Sequence, residues 1–320
     1  MFTYILYTII GAALVLVGAD KLTDGAVGLA SRFGISEMVI GLTIVAFGTS
    51  LPEFIVSFLA SLSHDNGATA LSVSNIVGSN LFNVMVIAGA SAALSPIIIS
   101  KATVQKDIPL CLLASIVLSA LALDTMVSAG QANMLTRGDG ITLLAFFAVF
   151  LSYSFSLAKE KEADNPKSQM SAVRIALFIV LGLVALIGGG ELFVKGACGI
   201  ARSAGVSEAV IGLTLVAGGT SLPELATSVV AARKGQSGLA IGNVIGSNIF
   251  NIFFILGVCA TVKPLVVTGL TIIDFAFLIA SAVLFWLFSF SSHKISRWEG
   301  WTMMLAYALH LGWLIGNKNF

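Results

Sequence analysis

Two peptides in this sequence combine an acid, two hydroxyls and a proline at one spacing. Gly48-Thr49-Ser50-Leu51-Pro52-Glu53 recurs letter for letter as Gly219-Thr220-Ser221-Leu222-Pro223-Glu224, an offset of 171 residues. Ser57 and Ser228 follow at matching positions. A second pair, Gly78-Ser-Asn-Leu-Phe-Asn83 and Gly246-Ser-Asn-Ile-Phe-Asn251, adds further hydroxyls and amides. Ser79 and Asn83 are four residues apart, as are Ser247 and Asn251, so each pair shares one helix face. The motif residues offer carboxylate, hydroxyl and amide oxygens and include no His or Cys. An all-oxygen set suits a hard cation such as Ca2+, which takes about 6–8 such ligands, whereas zinc or copper recruits nitrogen or sulfur. Two glutamates carry a charge of minus two, matched by one Ca2+, two monovalent cations or two protons.

The setting of these residues is apolar. Hydrophobic residues make up 57% of the 320-residue chain and charged residues 10%, with a net charge of +1 and a mean hydropathy of +1.00. Soluble domains carry about a quarter charged residues, so that class is excluded. Disordered, coiled-coil, collagen-like and disulfide-stapled chains are excluded with it. The composition implies an all-α integral membrane protein, and the net charge gives no reason to expect a nucleic-acid partner. Cys111, Cys198 and Cys259 are scattered through apolar stretches and read as packing residues. A carboxylate near the centre of a membrane helix costs at least about 2.5 kcal/mol, yet one stands at the same position in each copy of the motif.

Pro52 has no amide hydrogen and clashes with the preceding turn, so the helix must break or kink before it, freeing carbonyls around Ala46 to Thr49. Ser50 to Glu53 also has the spacing of a capping box, in which the serine caps a helix start and the glutamate reaches back. That plain reading leaves unexplained why a capped start falls within the membrane twice. Broken backbone at that depth is tolerated only where protein or a water-filled cavity covers it. The Gly-Ser-Asn segments read alone as small-residue packing interfaces, but packing does not call for asparagines.

Segments of about 20 apolar residues predict ten transmembrane helices, near 3–20, 37–61, 70–95, 107–126, 139–158, 173–194, 208–232, 239–262, 269–291 and 299–316. Twelve of the seventeen Lys and Arg residues fall on one side and five on the other. The richer side is cytoplasmic by the positive-inside rule, which turns both termini outward. Residues 18–53 align without a gap to 189–224. Two copies over ten spans give five each, and an odd number turns the second copy upside down. The expected organisation is therefore two inverted five-helix repeats: 1–158, with its motif region at 41–83, and 173–320, with its motif region at 212–251. A polar linker at 159–172 joins them. Inverted repeats with broken helices at the midplane are an architecture of secondary transporters.

The paired motifs and the five-plus-five arrangement resemble the cation/calcium antiporter superfamily, most closely its prokaryotic sodium/calcium exchangers. The resemblance implies alternating-access exchange of Ca2+ for Na+ across one shared site in the plasma membrane, with no cofactor and no required protein partner. It implies Glu53 and Glu224 as the central acids. Main-chain and hydroxyl ligands then match Ala46, Thr49, Ser50 and Ser79 in the first half, and Ala217, Thr220, Ser221 and Ser247 in the second. Asn83 and Asn251 complete the expected set. The resemblance also implies that the first and sixth spans slide across a more fixed bundle, and both are rich in glycine, including Gly18, Gly25, Gly28, Gly189, Gly196 and Gly199. Many relatives carry an aspartate in one of the positions held here by Asn83 and Asn251. Amides at both keep calcium/proton exchange as the alternative reading and lower the expectation of potassium co-transport.

Two other classes fit less well. A channel needs a continuous pore, whereas an internal inverted repeat builds one occluded site. An intramembrane hydrolase needs a Ser–His pair, and His64, His293 and His310 lie in connections or near span ends. Glu191 and Lys195, four apart, are expected to pair near a span end.

Overall fold

The computed structural model describes residues 1–63, 66–123, 133–159, 170–206, 211, 215, 218–290 and 292–317. The described elements are α1 (Phe2–Phe33), α2 (Glu37–Thr49), α3 (Leu51–Leu62), α4 (Thr69–Leu94), β1 (Ile97–Ile98), α5 (Thr103–Ala122), β2 (Met134–Leu135) and α6 (Arg137–Ala158). They continue with α7 (Ala172–Ser203), α8 (Leu222–Arg233), α9 (Ser237–Val262), β3 (Leu265–Val266), α10 (Ile272–Phe290), β4 (Lys294–Ile295) and α11 (Arg297–Asn317). Seven of the described helices are long and apolar enough to cross a membrane, and α2 with α3 forms an eighth such span, bent by 48°. Most of the predicted span 208–232 before α8, and nearly all of the linker 159–172, lie outside the described residues.

The first and sixth spans are longer than the sequence predicts. The expected 3–20 and 173–194 become 32-residue helices, α1 and α7. At 1.5 Å per residue each is about 48 Å long, well over the roughly 30 Å of a bilayer core. The reason is local: nothing at Asp20-Lys21 breaks a helix, and α1 ends only at Gly34, whose φ of 64° closes it with a left-handed turn. Lys21 and Asp24 therefore stand on the surface of α1 and not in a connection. Lys234, just beyond α8, reaches Asp20 at 2.6 Å and Asp24 at 2.7 Å.

α1 and α7 pack antiparallel against each other along glycines. A Cβ on Gly18 would stand 2.8 Å from the Gly182 carbonyl oxygen, and one on Gly182 would stand 3.0 Å from that of Gly18. Gly11 and Gly189 make the same reciprocal approach. The core lies behind this pair, around α4 and α9. Every residue from Leu239 to Ile249 of α9 is buried, as expected of a helix packed on all sides. The helices are supplemented by two small antiparallel ladders, β1 with β4 and β2 with β3. Each ties a strand that follows α4 or α9 to a strand from the other half of the chain.

Candidate functional site

The break that Pro52 requires falls at Ser50, where α2 gives way to α3. The serine does not cap the new helix with its side chain, and neither does Ser221 at the start of α8. Both hydroxyls instead reach the acid of the other half. Ser50 Oγ donates to Glu224 Oε1 at 2.9 Å, and Ser221 Oγ donates to Glu53 Oε1 at 2.9 Å. This reciprocal bridge removes the capping-box reading. It also fixes the two carboxylates against one another's helices, with Glu53 and Glu224 each 1% exposed.

The Gly-Ser-Asn segments of α4 and α9 supply the adjoining wall. Asn83 and Asn251 lie in π-helical turns, Phe82–Ala88 and Phe250–Leu256, a wider turn that recurs at functional sites. Asn83 Nδ2 donates to Asn248 Oδ1 at 3.0 Å, and Asn251 Nδ2 donates to Asn80 Oδ1 at 2.9 Å. Asn80 and Asn248 in turn donate to each other's main-chain carbonyls, at 3.2 and 3.4 Å. With their nitrogens committed, Asn83 and Asn251 are left with free carbonyl oxygens.

Buried polar atoms are nearly always satisfied, but among the described residues seven buried oxygens of the motifs make no hydrogen bond of good geometry, Thr220 and Ser247 being only in loose contact with Glu53 and Glu224. They are Glu53 Oε2, Glu224 Oε2, Ser79 Oγ, Ser247 Oγ, Asn83 Oδ1, Asn251 Oδ1 and Thr220 Oγ1. Six of the seven form three pairs at equivalent positions of the two halves. Among the described residues no group of three or more His, Cys, Asp or Glu side chains is placed to hold a metal, and the donors the described motif residues offer are two acids and neutral oxygens.

Of the expected set, the structure brings Ser50, Thr49 and Ser247 to Glu224 and Ser221 and Thr220 to Glu53, joins Asn83 and Asn251 to the asparagines of the opposite half, and buries Ser79. Ala46 is buried beside them, but the break does not free its carbonyl, which accepts from Ser50 N–H at 3.0 Å and from the Thr49 hydroxyl at 3.4 Å. Ala217 lies outside the described residues, as do residues 212–214 and 216 of the second motif region and His64. His310 stacks on Phe277 of α10, with ring centroids 3.9 Å apart. Glu191 and Lys195 do not form the expected pair among the described residues, and Lys195 lies over the Tyr7 ring at 5.5 Å.

Sequence reasoning missed the supporting asparagines. Asn243 accepts from Thr49 Oγ1 at 3.1 Å and donates to Ser228 Oγ at 3.0 Å, while Asn75 donates to Ser57 Oγ at 3.0 Å. The available signal was their recurrence: Asn75 and Asn80 repeat as Asn243 and Asn248 at the same offset of 168 as Asn83 and Asn251.

Comparison with known proteins places the chain in a family. The family described as sodium/calcium exchanger protein matches residues 3–156 and 174–316. The chain belongs to the sodium/calcium exchanger family. The sodium/calcium exchanger MaX1 of Methanosarcina acetivorans is 31% identical over 96% of this chain and 97% of its own. The inner membrane protein YrbG of Escherichia coli is 36% identical over 80% of this chain and 79% of its own. Among solved structures, the sodium-calcium exchanger NCX_Mj soaked with 10 mM Na+ and no Ca2+ superposes with a TM-score of 0.84 at 35% identity, covering 97% of this chain and 98% of that one. This family member is thus a membrane protein and a cation/calcium antiporter, and the family's transported ions are Ca2+ and Na+.

Proposed function

We propose that this chain exchanges Ca2+ for Na+ at one all-oxygen site near the membrane midplane, by alternating access. Glu53 and Glu224 are the two central acids. Ser50, Ser221, Thr49, Thr220, Ser79, Ser247, Asn83 and Asn251 contribute hydroxyl and amide oxygens, and Ala217 contributes a main-chain oxygen, while the Ala46 carbonyl stays in its helical hydrogen bond. The observation that carries this reading is the set of seven buried, unpartnered oxygens shared between the two halves. A dehydrated cation satisfies such oxygens at once, and an apolar packing interface would have no use for them.

The ten-span reading, with inverted repeats 1–158 and 173–320 and the linker 159–172 between them, is part of the same proposal. The antiparallel pairing of α1 with α7 supports it, because these are the corresponding first helices of the two halves and they run in opposite directions. The lysine and arginine bias supports termini that both face outward from the plasma membrane.

The test is equilibrium binding of radioactive Ca2+ to the purified chain under Na+ titration. A single shared site predicts that Na+ displaces bound Ca2+ completely and that Glu53→Gln and Glu224→Gln each remove binding. Ca2+ binding indifferent to Na+, or near-normal binding in either variant, would contradict the proposal.

A further inference from the structure

Two halves with the same residues do not make the same hydrogen bonds. In one half the Thr49 hydroxyl donates to Asn243 Oδ1 at 3.1 Å, and Asn243, fully buried, also holds Ser228 Oγ and the Glu224 main-chain carbonyl. In the other half Asn75 holds Ser57 Oγ at 3.0 Å, the counterpart of Ser228, but Thr220 Oγ1 makes no bond to Asn75 and stands only in loose contact with Glu53. Asn75 itself is only half-buried.

The packing differs in the same sense. Beside Thr220 a cavity of about 330 Å³ runs between α3 and α7, lined by Pro52, Gly190, Val194 and Pro223 and edged by exposed Glu191 and Lys195. At the equivalent positions around Thr49 the side chains are buried, although Thr23 also edges a separate cavity of about 320 Å³ on the Lys234 side of α1. Ala19, Thr23, Thr49 and Thr227 are each 0% exposed and Ala226 is 9% exposed. Among the described residues, the threonine with the made bond has no cavity against it, and the threonine with the missing bond lines one.

We propose that Asn243 and Asn75 are positioning residues that act in alternation. Asn243 clamps Thr49 while the Thr220 side is open, and Asn75 clamps Thr220 when that side closes and the Thr49 side opens. Each asparagine closes one half of the site by tying a threonine hydroxyl to its own side chain. This rests on the alternating-access reading above, since only a carrier that exchanges the roles of its halves needs both clamps. A fixed structural role would require the two bonds to be present together.

The reporter is Ala19→Cys, the repeat counterpart of the cavity residue Gly190, in a chain whose three native cysteines are replaced by alanine. Ala19 is 0% exposed here, so labelling by a water-soluble maleimide reads the population with the Thr49 side open. Asn243→Ala should raise the labelling rate by roughly three- to tenfold, the effect of losing one buried hydrogen bond, and Asn75→Ala should lower it by a similar factor. Thr49→Val and Thr220→Val, which remove the same bonds with little change of volume, should move the rate in the same respective directions. Shifts of one sign for all four variants, or no shift in folded variants, would overturn the alternation. Ca2+ exchange by the parent chain is measured alongside. Opposite shifts without exchange would support the clamps and sink the exchange reading, and exchange with unmoved labelling would sink the clamps alone.

Discussion

Glu53 and Glu224 are held by each other's serines, so each half of the chain completes the other's carboxylate. Glu53→Gln and Glu224→Gln each remove one of the two charges that balance Ca2+, and each should abolish exchange while leaving expression largely intact; near-normal Ca2+ flux in either would contradict the role. Ser50→Ala and Ser221→Ala each remove a hydrogen bond to a charged acceptor, a contact of about 1.5–3 kcal/mol. Each should weaken apparent Ca2+ affinity by roughly tenfold or more, read from the Ca2+ dependence of uptake. The acids and hydroxyls were legible in the sequence because they interrupt apolar runs twice at one spacing. The crosswise bonds were not, because a linear repeat does not say which half's serine faces which half's acid. The four supporting asparagines, Asn75, Asn80, Asn243 and Asn248, were visible as letters of the repeat, but their work is to hold other polar groups, which only packing reveals.

Among the elements, α1 and α7 are held together where glycine lets backbone meet backbone. At Gly18 and Gly182 the atoms in the way are main-chain oxygens at 2.8 and 3.0 Å, which cannot swing aside like a side chain. Gly18→Val and Gly182→Val should each cost about 1–3 kcal/mol by overpacking, seen as a lowered melting midpoint in detergent and lost exchange. Gly188→Ala, whose Cβ would meet nothing within 4 Å, should leave both unchanged. The glycine-rich character of the first and sixth spans was legible, but their pairing with each other and their length were not. Charge at Asp20, Lys21 and Asp24 read as a span end, and charge on a helix surface ends nothing when a partner such as Lys234 is at hand. Burial pulls the Lys234 pKa down, but its bonds to Asp20 and Asp24 outweigh this and raise it above its usual 10.5. A raised pKa in the folded chain contributes stability below the unfolded value and loses it as pH rises through the folded one. The parent should therefore melt slightly above Lys234→Ala at neutral pH, with the difference vanishing only above pH 10.5. These pairs are partly exposed, so the advantage is under about 1 kcal/mol and shrinks in high salt.

At the scale of the molecule, two copies of one unit meet face to face, and their sequence identity makes the site nearly symmetric while its present bonds are not. The repeat and the oxygen chemistry were legible because both are periodic properties of the chain. Which half stands open was not, since the two halves carry the same letters at Thr49 and Thr220. If the repeats are inverted over ten spans, protease-sensitive tags at the two ends should be cleaved together from outside the cell, and cleavage of only one would contradict an even span count. The most direct test of the central claim is radioactive Ca2+ uptake into proteoliposomes loaded in turn with Na+, with K+ or with acidic buffer, each diluted into Na+-free medium at neutral pH. Uptake driven by internal Na+ alone, and lost in Glu53→Gln, is the predicted result. Uptake driven by the proton gradient with Na+ inert would contradict sodium coupling and make the chain a calcium/proton antiporter.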